Sequence, residues 1–311
     1  MEKKLLLALD GSSNSLMAAD YVGRLLQTCS ETQLVLFHVL PPIPPLYNEG
    51  PLDPKAHNQL NQWKKKQKEA IEGIFHKAKD KLVKGGWPDS QIQIRIQPKR
   101  IGPARDILFE ADQGMVDAIV MGRRGLGKVA EMFLGSVSNK IIQGSSSAPV
   151  WIIGGKVTNS NFLVAVDGSD NAKRAVDHLS FILGSCRDEE LKILLFNAWP
   201  GLFTLSGPRI IPNLSEFSIS RQQYEDKTQA FFAECENMLL EAGVSPHLIK
   251  KKICYKCSDI GKAILSEAQK GGYGTIVLGR RGISKAKEFF MGSVSSKILY
   301  QADNLAVWIV N

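Results

Sequence analysis

The sequence predicts an α/β protein of two tandem domains, each a parallel sheet with helices on both faces, and three observations carry that prediction. A single offset of 157 residues relates Asp10 to Asp167, Gly122 to Gly279, Gly135 to Gly292 and Trp151 to Trp308. The chain is therefore one long unit written twice. Within each copy, short apolar runs alternate with segments of helical period, which is the order of a parallel α/β sheet with right-handed crossovers. Each copy also carries one glycine loop between an uncharged apolar run and a helix. A chain of 311 residues is near the upper limit for one core, and half of it is ample for a core of its own. The domains are expected at 1–155 and 156–311.

In chain order, Lys3 to Leu9 is an apolar strand that stops at Asp10-Gly11-Ser12, and Ser15 to Cys29 has a helical apolar pattern. Gln33 to Val39 reads as the second strand. Pro41-Pro42-Ile43-Pro44-Pro45 blocks regular structure and opens a loop expected to last to about Asn58. The lysine-rich stretch Trp63 to Lys84 follows as a helix and ends at Gly85-Gly86. Ile92 to Ile96 alternates as a third strand, and Pro103 suits the first turn of a shorter helix. Ala118-Ile119-Val120-Met121 is short and uncharged, as a buried parallel strand should be. After the glycine loop come a helix from Val137 to about Gly144, with Ser136 as its expected N-cap, and a last strand at Val150-Trp151-Ile152-Ile153. Gly154 to Ser160 is a short polar linker. The pattern then restarts: strand from Phe162 to Val166, Asp167-Gly168-Ser169, strand at Leu194 to Ala198, and a loop from Pro200 to about Ser215.

The glycine loop is where chemistry is expected. It reads Gly122-Arg123-Arg124-Gly125, nine residues, Gly135-Ser136 in the first half and Gly279-Arg280-Arg281-Gly282, nine residues, Gly292-Ser293 in the second. Glycine lets the backbone approach an anion, and the free N–H groups of the following helix's first turn point at it. Ordinary turn and capping glycines give the same letters once. Two intact copies at one spacing favour the phosphate reading. In open parallel sheets ligands bind at the carboxyl ends of the strands, where Asp10 and Gly122 both fall.

Charge excludes less than it suggests. Residues 1–156 hold 21 Lys and Arg against 15 Asp and Glu, and the remainder 18 against 16. Much of the excess sits on Trp63 to Lys84, around Ile71, Ile74, Phe75, Ala78 and Leu82 at the spacing of one helical face. The lysines then form a solvated face, and no zinc finger or RNA-binding signature turns them into a nucleic-acid site. Five cysteines, an odd number in which no regular spacing between the halves is expected, argue against a disulfide framework and for a reducing compartment. Cys254 and Cys257 fall in a strand-like stretch, where residues three apart point to opposite faces, and no second pair completes a metal site. Leu5 to Leu9 is too short for a signal core, and no apolar run is long enough to cross a membrane. A cytoplasmic protein with no membrane partner is expected.

The paired glycine motif, Asp-Gly-Ser after the first strand, and Gly102-Pro103-Ala104 with Ile107 resemble the universal stress protein family, here in a tandem, ATP-binding form. The resemblance covers both halves. It implies Rossmann-like domains, akin to the adenine nucleotide alpha hydrolases, each with a five-stranded parallel sheet, and ATP or AMP across the strand ends. It places Asp10, Gly11 and Ser12 near adenine and ribose, Val39 against the base, and Met121 and Gly122 on the ribose side. Gly125, Gly135, Ser136, Val137 and Ser138 would hold the phosphates. The second domain repeats this with Asp167, Gly168, Ser169, Ala198, Leu278, Gly279, Gly282, Gly292, Ser293, Val294 and Ser295. Arg123 and Arg280, in the motif's variable pair, either neutralise phosphate charge or project into solvent. Mg²⁺ would be held through the phosphates, with Asp10 and Asp167 as candidate carboxylates. The second half reads Ile260-Gly261-Lys262-Ala263-Ile264 in place of the Gly-Pro-Ala run.

The resemblance also implies an internal pseudo-dimer of the two domains, for which Trp151 and Trp308 on the last strands are the candidate contacts; a further homodimer and a regulatory protein partner are compatible with it. There is no Walker A lysine, no Ser-Gly-Gly-x-Asp-Ser loop, and the five histidines share no motif. The expected function is thus a nucleotide-binding regulator in a stress response. A slow ATPase or nucleotide-processing enzyme, and a scaffold with vestigial pockets, are the alternatives.

Overall fold

A computed structural model describes residues 2–29, 31–47, 53–124, 134–184, 186, 190–200, 221–281 and 291–311. The chain divides into two compact units, Met1–Gln27 with Glu31–Ala148, and Thr28–Ser30 with Pro149–Asn311.

The first unit runs β1 (Lys3–Ala8), α1 (Ser13–Leu26), β2 (Thr32–Leu40), α2 (Pro54–Lys84), β3 (Ile92–Pro98), α3 (Pro103–Gly114), β4 (Ala118–Gly122) and α4 (Ser136–Gly144). Its strands are parallel in the order β3-β2-β1-β4. Leu5, Leu6, Leu7, Leu34, Leu36, Ala118, Ile119 and Val120 are wholly buried, because helices cover both faces and leave no wet side to alternate with. Reversal of strand order between β2 and β4 about β1 puts the switch point at the end of β1. In register, Ala8 stands beside Phe37 on one side and Met121 on the other.

The second unit runs β5 (Val150–Ile153), β6 (Phe162–Ala165), α5 (Asp170–Leu183), β7 (Ile193–Ala198), α6 (Arg221–Glu241), β8 (Ile249–Cys254), α7 (Ile260–Gly271), β9 (Thr275–Gly279), α8 (Ser293–Gln301) and β10 (Ala306–Val310). Five strands are parallel, and β5 runs antiparallel to β10, so the sheet order is β5-β10-β9-β6-β7-β8. By its contacts the last strand of the first repeat, β5, is counted with the second unit, and in strand order it follows β4 as the fifth strand of the first repeat. Trp151 lies directly opposite Trp308 in this pairing, their rings stacked with centroids 3.7 Å apart. Both are fully buried.

Several expectations shift. The lysine-rich helix α2 starts at Pro54, not Trp63, because Asp53 caps it by accepting from the Ala56 amide at 2.6 Å and proline occupies its first turn. Leu60, Ile71, Phe75, Ala78 and Leu82 form its buried face, and Lys64, Lys65, Lys66 and Lys68 are exposed. The helix after each glycine loop begins one residue early: Gly135 and Gly292 are the N-caps, with no side-chain cap, and Ser136 and Ser293 are the first helical residues.

Disulfides were not expected from composition, yet Cys29 bonds to Cys186 and Cys254 to Cys257, leaving Cys235 free and buried. Cys29 and Cys186 obey the same 157-residue offset as the other repeat positions. Cys254 and Cys257 do not share a strand: β8 stops at Cys254, and Lys256 adopts a left-handed φ of 56° that turns the chain back.

Candidate functional site

In the first unit the chain leaves β1 through Asp10-Gly11-Ser12. Gly11 has φ 82°, a left-handed conformation that glycine adopts without penalty. This turn lets Ser12 donate from its amide (3.0 Å) and its hydroxyl (2.6 Å) to one Asp10 carboxylate oxygen. The same Ser12 oxygen accepts from the Ser15 amide and caps α1. Asp10 is thereby held rigidly at the carboxyl end of β1.

Gly122 ends β4 for a different reason from the one its motif suggests. A Cβ at Gly122 would come within 2.7 Å of the Asn14 carbonyl carbon, so the side-chain-free position allows α1 to cross β4. Gly279 meets Asn171 in the same way at 2.7 Å. The loop between the motif's ends is fastened at its base, where the Gly135 amide donates to the Arg123 carbonyl at 2.9 Å. The buried Ser138 hydroxyl donates to the Gly122 carbonyl at 3.1 Å. Beyond those ties, the first turn of α4 offers the amides that begin any helix unpaired within it.

A cavity of about 320 Å³ opens at this end of the sheet. Ala8, Leu9, Phe37, Val39, Ile107 and Met121 give it apolar walls; Asp10, Ser15, His38, Arg124 and the Gly135–Ser138 turn give it polar ones. Its size is within the range of small-molecule sites, and its make-up, an apolar slot ending in a helix N-terminus, suits a flat ring joined to an anion.

Of the first-half residues expected at a site, the structure brings Asp10, Val39, Met121, Gly122, Gly135, Ser136, Val137 and Ser138 to this cavity. Gly11 and Ser12 stand behind Asp10 and shape it. Gly125 and Gly282 lie outside the described residues. Arg123 does not project into solvent: it is 2% exposed, and its neighbour Arg124 is the arginine on the cavity wall.

His38 is the residue that sequence reading missed. It follows Phe37 on β2, and its Nδ1 lies 2.6 Å from the Leu9 carbonyl oxygen. A carbonyl only accepts, so Nδ1 carries the proton and Nε2, buried without a hydrogen bond, is left as an acceptor. Burial pushes the His38 pKa below its usual value, against the pull of the Leu9 carbonyl and Asp10. The neutral ring is the favoured form.

The second unit repeats the frame. Gly168 has φ 82°, the Ser169 amide donates to Asp167 at 3.0 Å, and Ser169 caps α5. The Ser295 hydroxyl donates to the Gly279 carbonyl at 3.0 Å, and the Gly292 amide to the Arg280 carbonyl at 3.0 Å. Leu278 stands beside Ala165, as Met121 stands beside Ala8. Val294 takes the second place in α8 as Val137 does in α4. Arg280 is partly buried, donates from Nη1 to Asn311 at 3.2 Å, and has its pKa lowered by burial and by Arg281. The end of the second strand differs in its hydrogen bonding. Where the first unit has His38, the second has Asn197, whose amide donates to the Val166 carbonyl at 2.9 Å and whose oxygen accepts from Tyr224 at 2.7 Å. Ala198 follows it at the end of β7.

The profile of the Universal stress protein family matches residues 1–154 and again 158–311. The chain belongs to the universal stress protein family. As a tandem member it carries two universal stress protein domains of Rossmann-like α/β fold. It is similar to a curated universal stress protein of Thermus aquaticus, "in QAH/OAS sulfhydrylase 3'region", with 30% identity over 49% of this chain and 99% of that one. It is similar also to universal stress protein YxiE of Bacillus subtilis (strain 168), with 31% identity over 45% of this chain and 90% of that one. A universal stress protein structure from Archaeoglobus fulgidus DSM 4304 matches it in fold along 99% of this chain and 98% of that one, with 20% identity and a TM-score of 0.65.

Among the described residues of this universal stress protein, no cluster of three His, Cys, Asp or Glu side chains is placed to hold a metal ion. Among the same residues, no helix is long and apolar enough to cross a membrane.

Proposed function

We propose that this universal stress protein binds one adenine nucleotide, ATP or AMP, in each of its two domains, divided at residues 155 and 156, and acts as a cytoplasmic regulator through that occupancy. The observation that carries the reading is the first unit's cavity, which joins an apolar slot to the N-terminus of α4. The base would lie against Phe37, Val39 and Met121, with Asp10 toward the ribose. The α4 turn from Gly135 to Ser138 and Arg124 would take the phosphates, since the helix's amides and its dipole favour negative charge there. A Mg²⁺ ion would be carried on the phosphates and neutralise their charge. In the second domain Asp167, Gly168, Ser169, Ala198, Leu278, Gly279 and Gly292 to Ser295 repeat the arrangement.

The test is to denature the purified protein, identify any nucleotide released, and titrate the emptied protein calorimetrically with ATP and Mg²⁺. Two sites are expected. Gly135→Val should remove one and Gly292→Val the other, because a side chain at either N-cap intrudes on the phosphate turn. No heat of binding at about millimolar ATP, together with no released nucleotide, overturns the proposal, since such affinity is within about 4 kcal/mol of none at all.

A further inference from the structure

We propose that Cys254 and Cys257 form a thiol–disulfide exchange site that takes low-molecular-weight disulfides, a reactive centre separate from the nucleotide cavities. The Cys-Tyr-Lys-Cys stretch is not an extended strand. β8 ends at Cys254, the left-handed φ of 56° at Lys256 reverses the chain, and the two sulfurs come into bonding contact. Their Cα atoms are 6.5 Å apart, a separation a disulfide spans without moving the backbone.

The turn is fixed independently of the sulfurs. The Trp199 amide donates to the Cys254 carbonyl at 2.8 Å, and the Cys257 amide donates to the Trp199 carbonyl at 3.0 Å. These two bonds clamp the loop to the end of β7, so the cysteines stay close whether or not they are joined. Cys257 Sγ also lies 3.2 Å from the Cys254 carbonyl oxygen, a position open to the free thiol. The first unit has nothing of the kind: Gln97 is at the corresponding end of β3.

Access orders the chemistry. Cys254 is half-buried and Cys257 is 6% exposed, so the Cys254 thiolate meets the external disulfide R–S–S–R first. Its sulfur bonds to one sulfur of the disulfide, and the other leaves as a thiolate. The Cys257 thiolate then attacks the Cys254 sulfur of the mixed disulfide and expels the second thiolate. The protein dithiol is oxidised by two electrons, the small disulfide is reduced to two thiols, and the two cysteine protons pass to the leaving groups. Exposed Lys256 between the cysteines supplies a positive charge beside them that favours thiolate.

The site is read by its own peptides. Trypsin cuts after Lys252, Lys256 and Lys262, which places the two cysteines on separate fragments, Ile253–Lys256 and Cys257–Lys262. The native full-length protein is incubated with glutathione disulfide or with dithiothreitol, its free thiols are blocked, and it is digested without reduction. After glutathione disulfide the two fragments should be recovered joined, with loss of blocking at both cysteines; after dithiothreitol they should be separate and both blocked. The joined fraction should follow the glutathione ratio in both directions. Cys257→Ser should stop at one glutathione on Cys254, and Cys254→Ser should react about tenfold more slowly. Fragments that stay separate in glutathione disulfide, or that carry one glutathione each, overturn the proposal; so does a joined pair that native dithiothreitol leaves intact. No nucleotide enters the assay, so its outcome is independent of ATP binding.

Discussion

Acid should destabilise the second unit through one histidine. His178 on α5 is 8% exposed, accepts a hydrogen bond on Nε2 from the Trp151 indole at 3.0 Å, and has the Trp151 and Trp308 rings edge-on at 5.8 and 5.7 Å. Burial alone pushes its pKa from 6.5 to about 3. Protonation would also put a donor where the indole N–H needs an acceptor. Above pH 6.5 both folded and unfolded chains carry a neutral His178. Below it the unfolded chain takes up a proton that the folded chain refuses until about pH 3, so the unfolded state binds more protons and stability falls as pH falls.

From about pH 7 to about pH 5, above most carboxylate titration, the loss works out at about 2 kcal/mol, at about 1.4 kcal/mol per pH unit below the unfolded value. The assay is urea unfolding at several pH values, followed by near-ultraviolet circular dichroism of the stacked tryptophans. The comparison is His178→Gln, which retains an acceptor but does not titrate. Wild type should lose about 2 kcal/mol more than the variant over that interval. Parallel curves, or a wild type that gains stability toward acid, would refute the assignment of a neutral buried imidazole.

Other expectations follow from single contacts. Gly122→Ala forces a Cβ to within 2.7 Å of the Asn14 backbone, which should cost about 1–3 kcal/mol in urea unfolding; Gly135→Ala, whose nearest contact would be 3.3 Å, should cost less. Arg124→Ala should weaken ATP in the first site about tenfold by loss of one charge-assisted contact, with little change in unfolding, whereas Arg123→Ala should lower stability first. His38→Asn should be tolerated to within about 1 kcal/mol, because Asn197 already makes the equivalent carbonyl bond in the second unit. Trp87→Phe removes the indole donor to the Gly23 carbonyl at 3.1 Å and should cost about 1 kcal/mol by denaturant titration.

Periodicity and spacing carried most of the fold, since buried parallel strands such as Ala118–Met121 are legible as short uncharged runs and the 157-residue offset repeats them. What escaped depends on contacts made at a distance. The antiparallel pairing of β5 with β10 leaves no mark within either strand. The start of α2 was hidden by prolines that block strands but suit a helix's first turn. His38 sits in an apolar run, and nothing local distinguishes a ring that bonds the neighbouring strand's carbonyl from a core histidine. The link between Cys29 and Cys186 was legible: the expectation that the cysteines show no regular spacing between the halves is wrong for this pair, which the offset of the glycines and tryptophans relates too.

The two glycines that begin and end the loop therefore answer to different pressures. Gly122 and Gly279 are demanded by the crossing of the first helix over the strand, with or without a ligand. Gly135 and Gly292 are the N-caps of the helices that follow the loop, Gly135 on the wall of the first unit's cavity, and a Cβ at Gly135 meets only ordinary or slightly tight contacts. A domain of this fold that ceased to bind an anion would still need the first glycine and could lose the second. That both copies here retain the second is the part of the motif that speaks for binding; the first speaks for folding alone.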